Sequence, residues 1–303
     1  MLKDKYGRVV KSLRISLTQR CNLKCFYCHN EGQEHSSDEI SCKELDKILE
    51  LAEKLNIREV KFTGGEPLLR DDITEAVRIA SKRMSEISIT TNGILLNEYA
   101  NDLKAKGLKR VNISIDTLNA EKYRLITGVD KLAEVLEGIE TAYSSKLFPI
   151  KLNMVLLKGI NEEETLAMLN LATRYKAILQ IIELEDSCES AMYKQYHCKL
   201  YQVERNLENR ALRIERRALH NRKKYYLPFG SAIAQVELVK PMHNSEFCRN
   251  CTRLRITSDG KLKQCLFREE SIELVNLIRK NVSEEKLLEI FKNAIVNREP
   301  YWK

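Results

Sequence analysis

The 303-residue chain contains no apolar run long enough to span a membrane. With only 11 glycines and 5 prolines it also has no Pro-, Gly- or Ser-rich tract to serve as a linker. Internal repeats and low-complexity segments are missing, which sets aside solenoid and fibrous architectures. Met1 to Val10 are polar and charged, without the apolar core of a signal peptide, so a cytoplasmic protein with no membrane partner is expected. There is no RNA-binding motif and no alternation of aromatic and basic residues, so nucleic acid is not expected as a partner. The net charge of +8 is compatible with a polyanionic ligand. Nine Lys/Arg against three Glu between Lys199 and Lys224 form its densest stretch, which reads most simply as a solvated helix face.

Cysteine is the abundant exception. Nine cysteines in a cytoplasmic chain suggest metal or redox use more than disulfides. Cys21, Cys25 and Cys28 follow a predicted strand and could bind three corners of a four-iron cluster, leaving one iron free to chelate a small molecule. Cys248, Cys251 and Cys265 make a second three-ligand set, brought together if Asp259-Gly260 is a hairpin turn. Zinc is the alternative at each place, with His29 or His35 as fourth donor at the first and His243 at the second. Cys42, Cys188 and Cys198 match no spacing and read as ordinary thiols.

Thr63-Gly-Gly-Glu-Pro67 ends a β-rich run, and paired glycines there let backbone groups approach a ligand. Arg253 and Arg255 alternate along the strand after Cys251 and so share a face; two guanidiniums beside a metal make an anion site.

The first cysteine set together with Thr63-Gly-Gly-Glu-Pro67 resembles the radical S-adenosylmethionine superfamily. That likeness implies a [4Fe-4S] cluster on Cys21, Cys25 and Cys28, with S-adenosylmethionine on the open iron and Tyr27, Gly65 and Ser114 around it. Adding the second set, Thr90-Thr-Asn-Gly93, Asn112-Ile-Ser-Ile-Asp116, Lys151-Leu-Asn-Met-Val155, His220 to Pro228 and Cys251-Thr-Arg-Leu-Arg255, the chain resembles, nearly end to end, the GTP 3′,8-cyclases of molybdenum cofactor biosynthesis, of the archaeal type. The resemblance implies a second [4Fe-4S] cluster on Cys248, Cys251 and Cys265. It also implies GTP as substrate, contacted by Arg14, Lys61, Thr90, Lys151, Arg253, Leu254 and Arg255. The reaction so implied takes hydrogen from ribose C3′ and joins that carbon to purine C8, giving (8S)-3′,8-cyclo-7,8-dihydroguanosine 5′-triphosphate. An electron donor and the next enzyme of pterin precursor synthesis are the implied partners, with a homodimer left open. The catalytic set is Cys21, Cys25, Cys28, Arg14, Lys61, Lys151, Arg253 and Arg255. Another two-cluster radical enzyme, such as a peptide-modifying maturase, and a non-catalytic zinc or iron–sulfur nucleic-acid module are the alternatives.

Two features depart from the family pattern. Glu185 stands in Ile182-Glu-Leu-Glu185 where relatives often carry methionine, and the chain ends Arg298-Glu-Pro-Tyr-Trp-Lys303 in place of a Gly-Gly tail.

Strand-like runs at Leu13–Leu17, Glu59–Thr63, Ile87–Thr91, Arg110–Ile115, Ile150–Leu156 and Leu179–Leu184 alternate with five helical patterns. This α/β order predicts an incomplete (βα)6 TIM-like barrel over residues 1–185. The C-terminal iron–sulfur extension, 186–303, is expected to cover its open side.

Overall fold

The computed structural model describes residues 2–186 and 188–303. Its first part alternates strand and helix: β1 (Ser12–Ser16), α1 (Cys42–Lys54), β2 (Glu59–Thr63), α2 (Ile73–Ser81), β3 (Glu86–Thr91), α3 (Leu96–Ala105), β4 (Arg110–Ser114), α4 (Ala120–Thr127), α5 (Leu132–Ser144), β5 (Ile150–Leu156), α6 (Thr165–Arg174) and β6 (Ile178–Glu183). Each expected strand is present to within a residue at either end. The strands run parallel in the order β1-β2-β3-β4-β5-β6, the arrangement of a partial barrel.

A period of two explains how these strands serve core and site together. Leu13 and Ile15, Val60 and Phe62, Ile87 and Ile89, Val111 and Ile113 are buried almost completely and share one core with Ile48, Val77, Leu103 and Ile139 of the helices. The intervening residues are polar, and they line the barrel's interior cavity: Arg14 on β1, Lys61 on β2, Ser88 on β3, Arg110 on β4, Lys151 on β5 and Gln180 on β6.

α4 was not expected from the pattern, having a short apolar face of Tyr123 and Ile126. Its caps define it: Asn119 accepts from the Lys122 amide, and Gly128 ends it at φ 79°.

The rest of the chain comprises α7 (Ala191–Tyr196), α8 (Tyr201–Arg210), β7 (Arg213–Arg216), β8 (Lys223–Phe229), β9 (Ala232–Val239), α9 (Ser245–Arg249), β10 (Arg253–Ile256), β11 (Leu262–Lys263), β12 (Ser271–Ile272), α10 (Leu274–Arg279) and α11 (Glu284–Val296). β9 joins β6 and β10 joins β1, both in parallel, so these residues extend both edges of the barrel. A single sheet results, ordered β12-β11-β10-β1-β2-β3-β4-β5-β6-β9-β8-β7. β10 and β11 form the hairpin expected around Asp259-Gly260. Gly260 has φ +84°, and a Cβ there would stand 2.1 Å from the Val275 side chain, so both backbone and space demand glycine.

Candidate active site

The barrel interior is a cavity of about 630 Å³. Cys21, Cys25 and Cys28 reach it from the loop after β1, and Cys248, Cys251 and Cys265 from the segment around β10 and β11. All six are free thiols. Burial pushes the Cys21, Cys25 and Cys248 thiols above their ordinary range, and neighbouring thiols in each set push the same way. Such a set lowers its free energy by exchanging protons for metal.

The loop Thr63-Gly64-Gly65 passes against the first set with no room for side chains. A Cβ on Gly65 would stand 2.3 Å from the Arg20 carbonyl oxygen and 2.6 Å from that of Gln19. Glu66 fixes this loop to the end of β3, accepting from Thr91 Oγ1 at 2.7 Å, the Asn92 amide at 2.7 Å and the Leu68 amide at 3.0 Å. Burial nevertheless raises Glu66 to about 7. Tyr27 donates to Asp116 Oδ2 at 2.5 Å, and Val155 N donates to Oδ1 at 2.8 Å. Burial raises Asp116 to about 6 despite both bonds.

Between the two cysteine sets the wall is cationic. β10 places Arg253 beside Ser12 and Arg255 beside Arg14, and β2 places Lys61 beside Arg14 on the other side. Burial lowers Lys61 far below its ordinary value, helped by Arg14, Arg253 and Lys151. It lowers Arg253 to about 9, which leaves the guanidinium charged at neutral pH. His220, buried and close to Arg253, Arg222 and Arg255, is held neutral.

Two buried carboxylates organise these cations. Glu31 lies 2.7 Å from Arg14 Nη2 and 2.6 Å from Arg255 Nη1, and accepts from Thr63 Oγ1 at 2.8 Å. Burial alone would raise it, but Arg14 and Arg255 outweigh that and hold it at about 2. Glu237 pairs with Lys151 at 2.5 Å and has Arg222 and Arg217 within 3.9 Å and 3.8 Å. Burial depresses Lys151 to about 8 even so.

Every residue expected at the site lines the cavity except one: Tyr27, Gly65, Ser114, Arg14, Lys61, Thr90, Lys151, Arg253, Arg255 and the six cysteines are all on its wall. Leu254 points its side chain into the core, fully buried, as the strand's alternation requires. Glu185, at the family's methionine position, also lines the cavity, and its charge acts on Arg14.

Sequence reasoning missed Arg110, Arg222, Glu31 and Glu237. Arg110 was visible as the period-two neighbour of Asn112 and Ser114. Arg222 was counted in the basic 199–224 stretch, which divides in the structure: Arg222 turns inward to donate to Gln180 Oε1 at 3.1 Å, and Lys223 pairs with Glu204 and Glu208 on α8.

The donor sets fit iron–sulfur clusters better than zinc. His29 Nδ1 accepts from the Glu31 amide at 3.1 Å, His243 Nε2 pairs with Glu189 at 2.7 Å, and His35 is exposed and off the cavity wall, so each imidazole offered for zinc is engaged or elsewhere. Three thiols beside a glycine loop without space for a Cβ are a donor set whose chemistry suits a cluster and a ligand held by backbone groups.

The model of the radical SAM superfamily matches residues 15–172, and that of the molybdenum cofactor synthesis C domain matches residues 177–303. A protein of Thermococcus kodakarensis named "Probable GTP 3′,8-cyclase" is 47% identical over 308 residues, covering 100% of both chains. The chain belongs to the GTP 3′,8-cyclase family. A relative of the same name from Methanothermobacter thermautotrophicus is 44% identical, covering 99% of each chain. Among solved structures, Streptococcus suis SuiB bound to its precursor peptide SuiA superposes with a TM-score of 0.67 at 17% identity, over 98% of this chain and 67% of that one. At that identity the likeness shows the radical S-adenosylmethionine fold alone. The family's cofactors are two [4Fe-4S] clusters and S-adenosylmethionine. Among the described residues no helix is long and apolar enough to cross a membrane.

Proposed function

We propose that this chain cyclises GTP to (8S)-3′,8-cyclo-7,8-dihydroguanosine 5′-triphosphate, the first step of molybdenum or tungsten cofactor synthesis. The observation that carries the reading is one cavity with a cysteine triplet on either side of a wall of half-buried cations. Cys21, Cys25 and Cys28 would hold the first cluster, with Tyr27, Gly65 and Ser114 around S-adenosylmethionine. Cys248, Cys251 and Cys265 would hold the second. When bound, these groups supply the one-electron chemistry that removes hydrogen from the ribose.

The chain's own residues supply binding and orientation. Arg14, Lys61, Lys151, Arg253 and Arg255 neutralise the triphosphate and fix the nucleotide, with Thr90 and the main chain of Leu254 beside them. Lys61 and Arg253 are desolvated and pair with no carboxylate among the described residues, so a tetra-anionic nucleotide relieves what the fold imposes on them. Glu31 and Glu237 keep the guanidiniums and Lys151 aimed inward. We assign residues 1–185 to the radical barrel and 186–303 to the extension. The protein would work in the cytoplasm with an electron donor and the next enzyme of pterin precursor synthesis.

The test is anaerobic turnover of the iron- and sulfide-reconstituted chain with dithionite, S-adenosylmethionine and GTP, followed by mass spectrometry. GTP-dependent 5′-deoxyadenosine and a cyclised nucleotide are expected. Cofactor cleavage with GTP untouched would refute the substrate, and a chain that binds only zinc would refute the enzyme.

A further inference from the structure

Two arginines from opposite ends of the chain meet at the second cysteine set. Arg8 donates through Nη1 to the Cys248 carbonyl at 3.0 Å, and Arg298 through Nη2 to the Cys251 carbonyl at 2.8 Å. Their charges are handled differently. Arg8 is neutralised by Asp4, whose Oδ2 lies 2.6 Å from Nε. Arg298 is 1% exposed and pairs with no carboxylate among the described residues, since its neighbour Glu299 reaches Arg268 and Lys303. Nε and Nη1 of Arg298 are buried without a hydrogen-bond partner among the described residues.

A buried cation with two unpartnered nitrogens costs several kcal/mol unless an anion lies against it. Arg298 lines the cavity alongside Cys248, Cys251 and Cys265, and the thiols of Cys251 and Cys265 are among the groups that favour its charge. The segment that carries it also touches the third cysteine, because the Trp302 amide donates to Cys248 Sγ at 3.4 Å. We propose that Arg298 is a positioning residue of the second cluster site. Its fixed positive charge, with the unpartnered N–H groups of Nε and Nη1, stands on the same cavity wall as the three sulfurs, and so makes that site easier to reduce. Hydrogen bonds and charge at the sulfurs are the levers by which a protein tunes such a centre.

This rests on the reading of Cys248, Cys251 and Cys265 as cluster ligands, and the test separates the two claims. The reconstituted holoenzyme is titrated with dithionite under electron paramagnetic resonance, the first cluster's signal being recognised by its change on adding S-adenosylmethionine. R298Q keeps a donor for the Cys251 carbonyl and removes the charge; R298K keeps the charge. The expected result is at least a tenfold loss in the reduction equilibrium of the second signal in R298Q, about 59 mV to lower potential for one electron. R298K should stay close to the parent, and the first signal should not move. An unchanged potential in R298Q, or a second signal lost equally from R298Q and R298K, would overturn the proposal in favour of a mechanical brace on Cys251. A parent enzyme with no second signal would overturn the cluster reading beneath it.

Discussion

Lys151 on β5 reaches across β6 to Glu237 on β9, Nζ to Oε2 at 2.5 Å, and Glu237 has no exposed surface. The pair joins the barrel to the strand that extends its edge. Removing one member of a buried pair leaves the other charge uncompensated, which costs about 3 kcal/mol or more. E237A is therefore expected to lower the unfolding free energy by about that amount, read as a lower urea midpoint at unchanged slope.

The same lysine sets a pH dependence. Burial holds it at about 8 in the folded chain against an ordinary 10.5. The folded state thus gives up its proton first, so this group's contribution to stability rises with pH between those values. For GTP the sign is reversed, because the triphosphate favours the protonated amine. Affinity should be level below pH 8 and fall above it, by up to tenfold per unit. K151R, charged throughout, should remove that slope. Equilibrium dialysis of GTP between pH 7 and 9.5 checks both curves, and an identical slope in K151R would dismiss Lys151 as its source.

Gly65→Ala is expected to damage the first cysteine site selectively. The added Cβ meets the backbone oxygens of Arg20 and Gln19, which cannot swing aside as a side chain could. The loop carrying Cys21 must move, so cluster loading there and cleavage of S-adenosylmethionine should fall more than tenfold. Iron at the second site should be retained. Iron analysis with the cleavage assay decides; a fully active G65A would mean that the loop is looser than its contacts imply.

Much of this site was legible because it lies on strands. A period of two carried Arg14, Lys61 and Lys151 to the inner face while Leu13, Val60 and Leu152 went to the core, and the cysteine spacings marked both ends of the cavity. Leu254 shows what alternation does to a motif: between two arginines that face the cavity its side chain must enter the core, which leaves only its main chain to the site. The carboxylates were hidden for a different reason. Glu31 and Glu237 meet their cations across the sheet, Arg255 and Lys151 being more than eighty residues away in sequence and the nearer Arg14, Arg217 and Arg222 lying at no helical or strand spacing, and no local pattern announces such a cluster. α4 was hidden by its narrow apolar face, although Asn119 and Gly128 had marked its ends.

Arg255→Ala removes one side of the Glu31 bridge and a donor on the cavity wall. Formation of the cyclised nucleotide should be lost, while S-adenosylmethionine is still cleaved without coupling to product. Parallel quantification of 5′-deoxyadenosine and nucleotide product tests this, and unchanged product formation would remove Arg255 from the catalytic set.

The central claim is that the cavity holds the ribose of GTP where its C3′ hydrogen is the one taken. The most direct measurement is anaerobic turnover with GTP deuterated at C3′, followed by mass spectrometry of the 5′-deoxyadenosine. One deuterium transferred per product formed is the predicted result. Deoxyadenosine free of deuterium, in the presence of a fully loaded enzyme and consumed GTP, would contradict it.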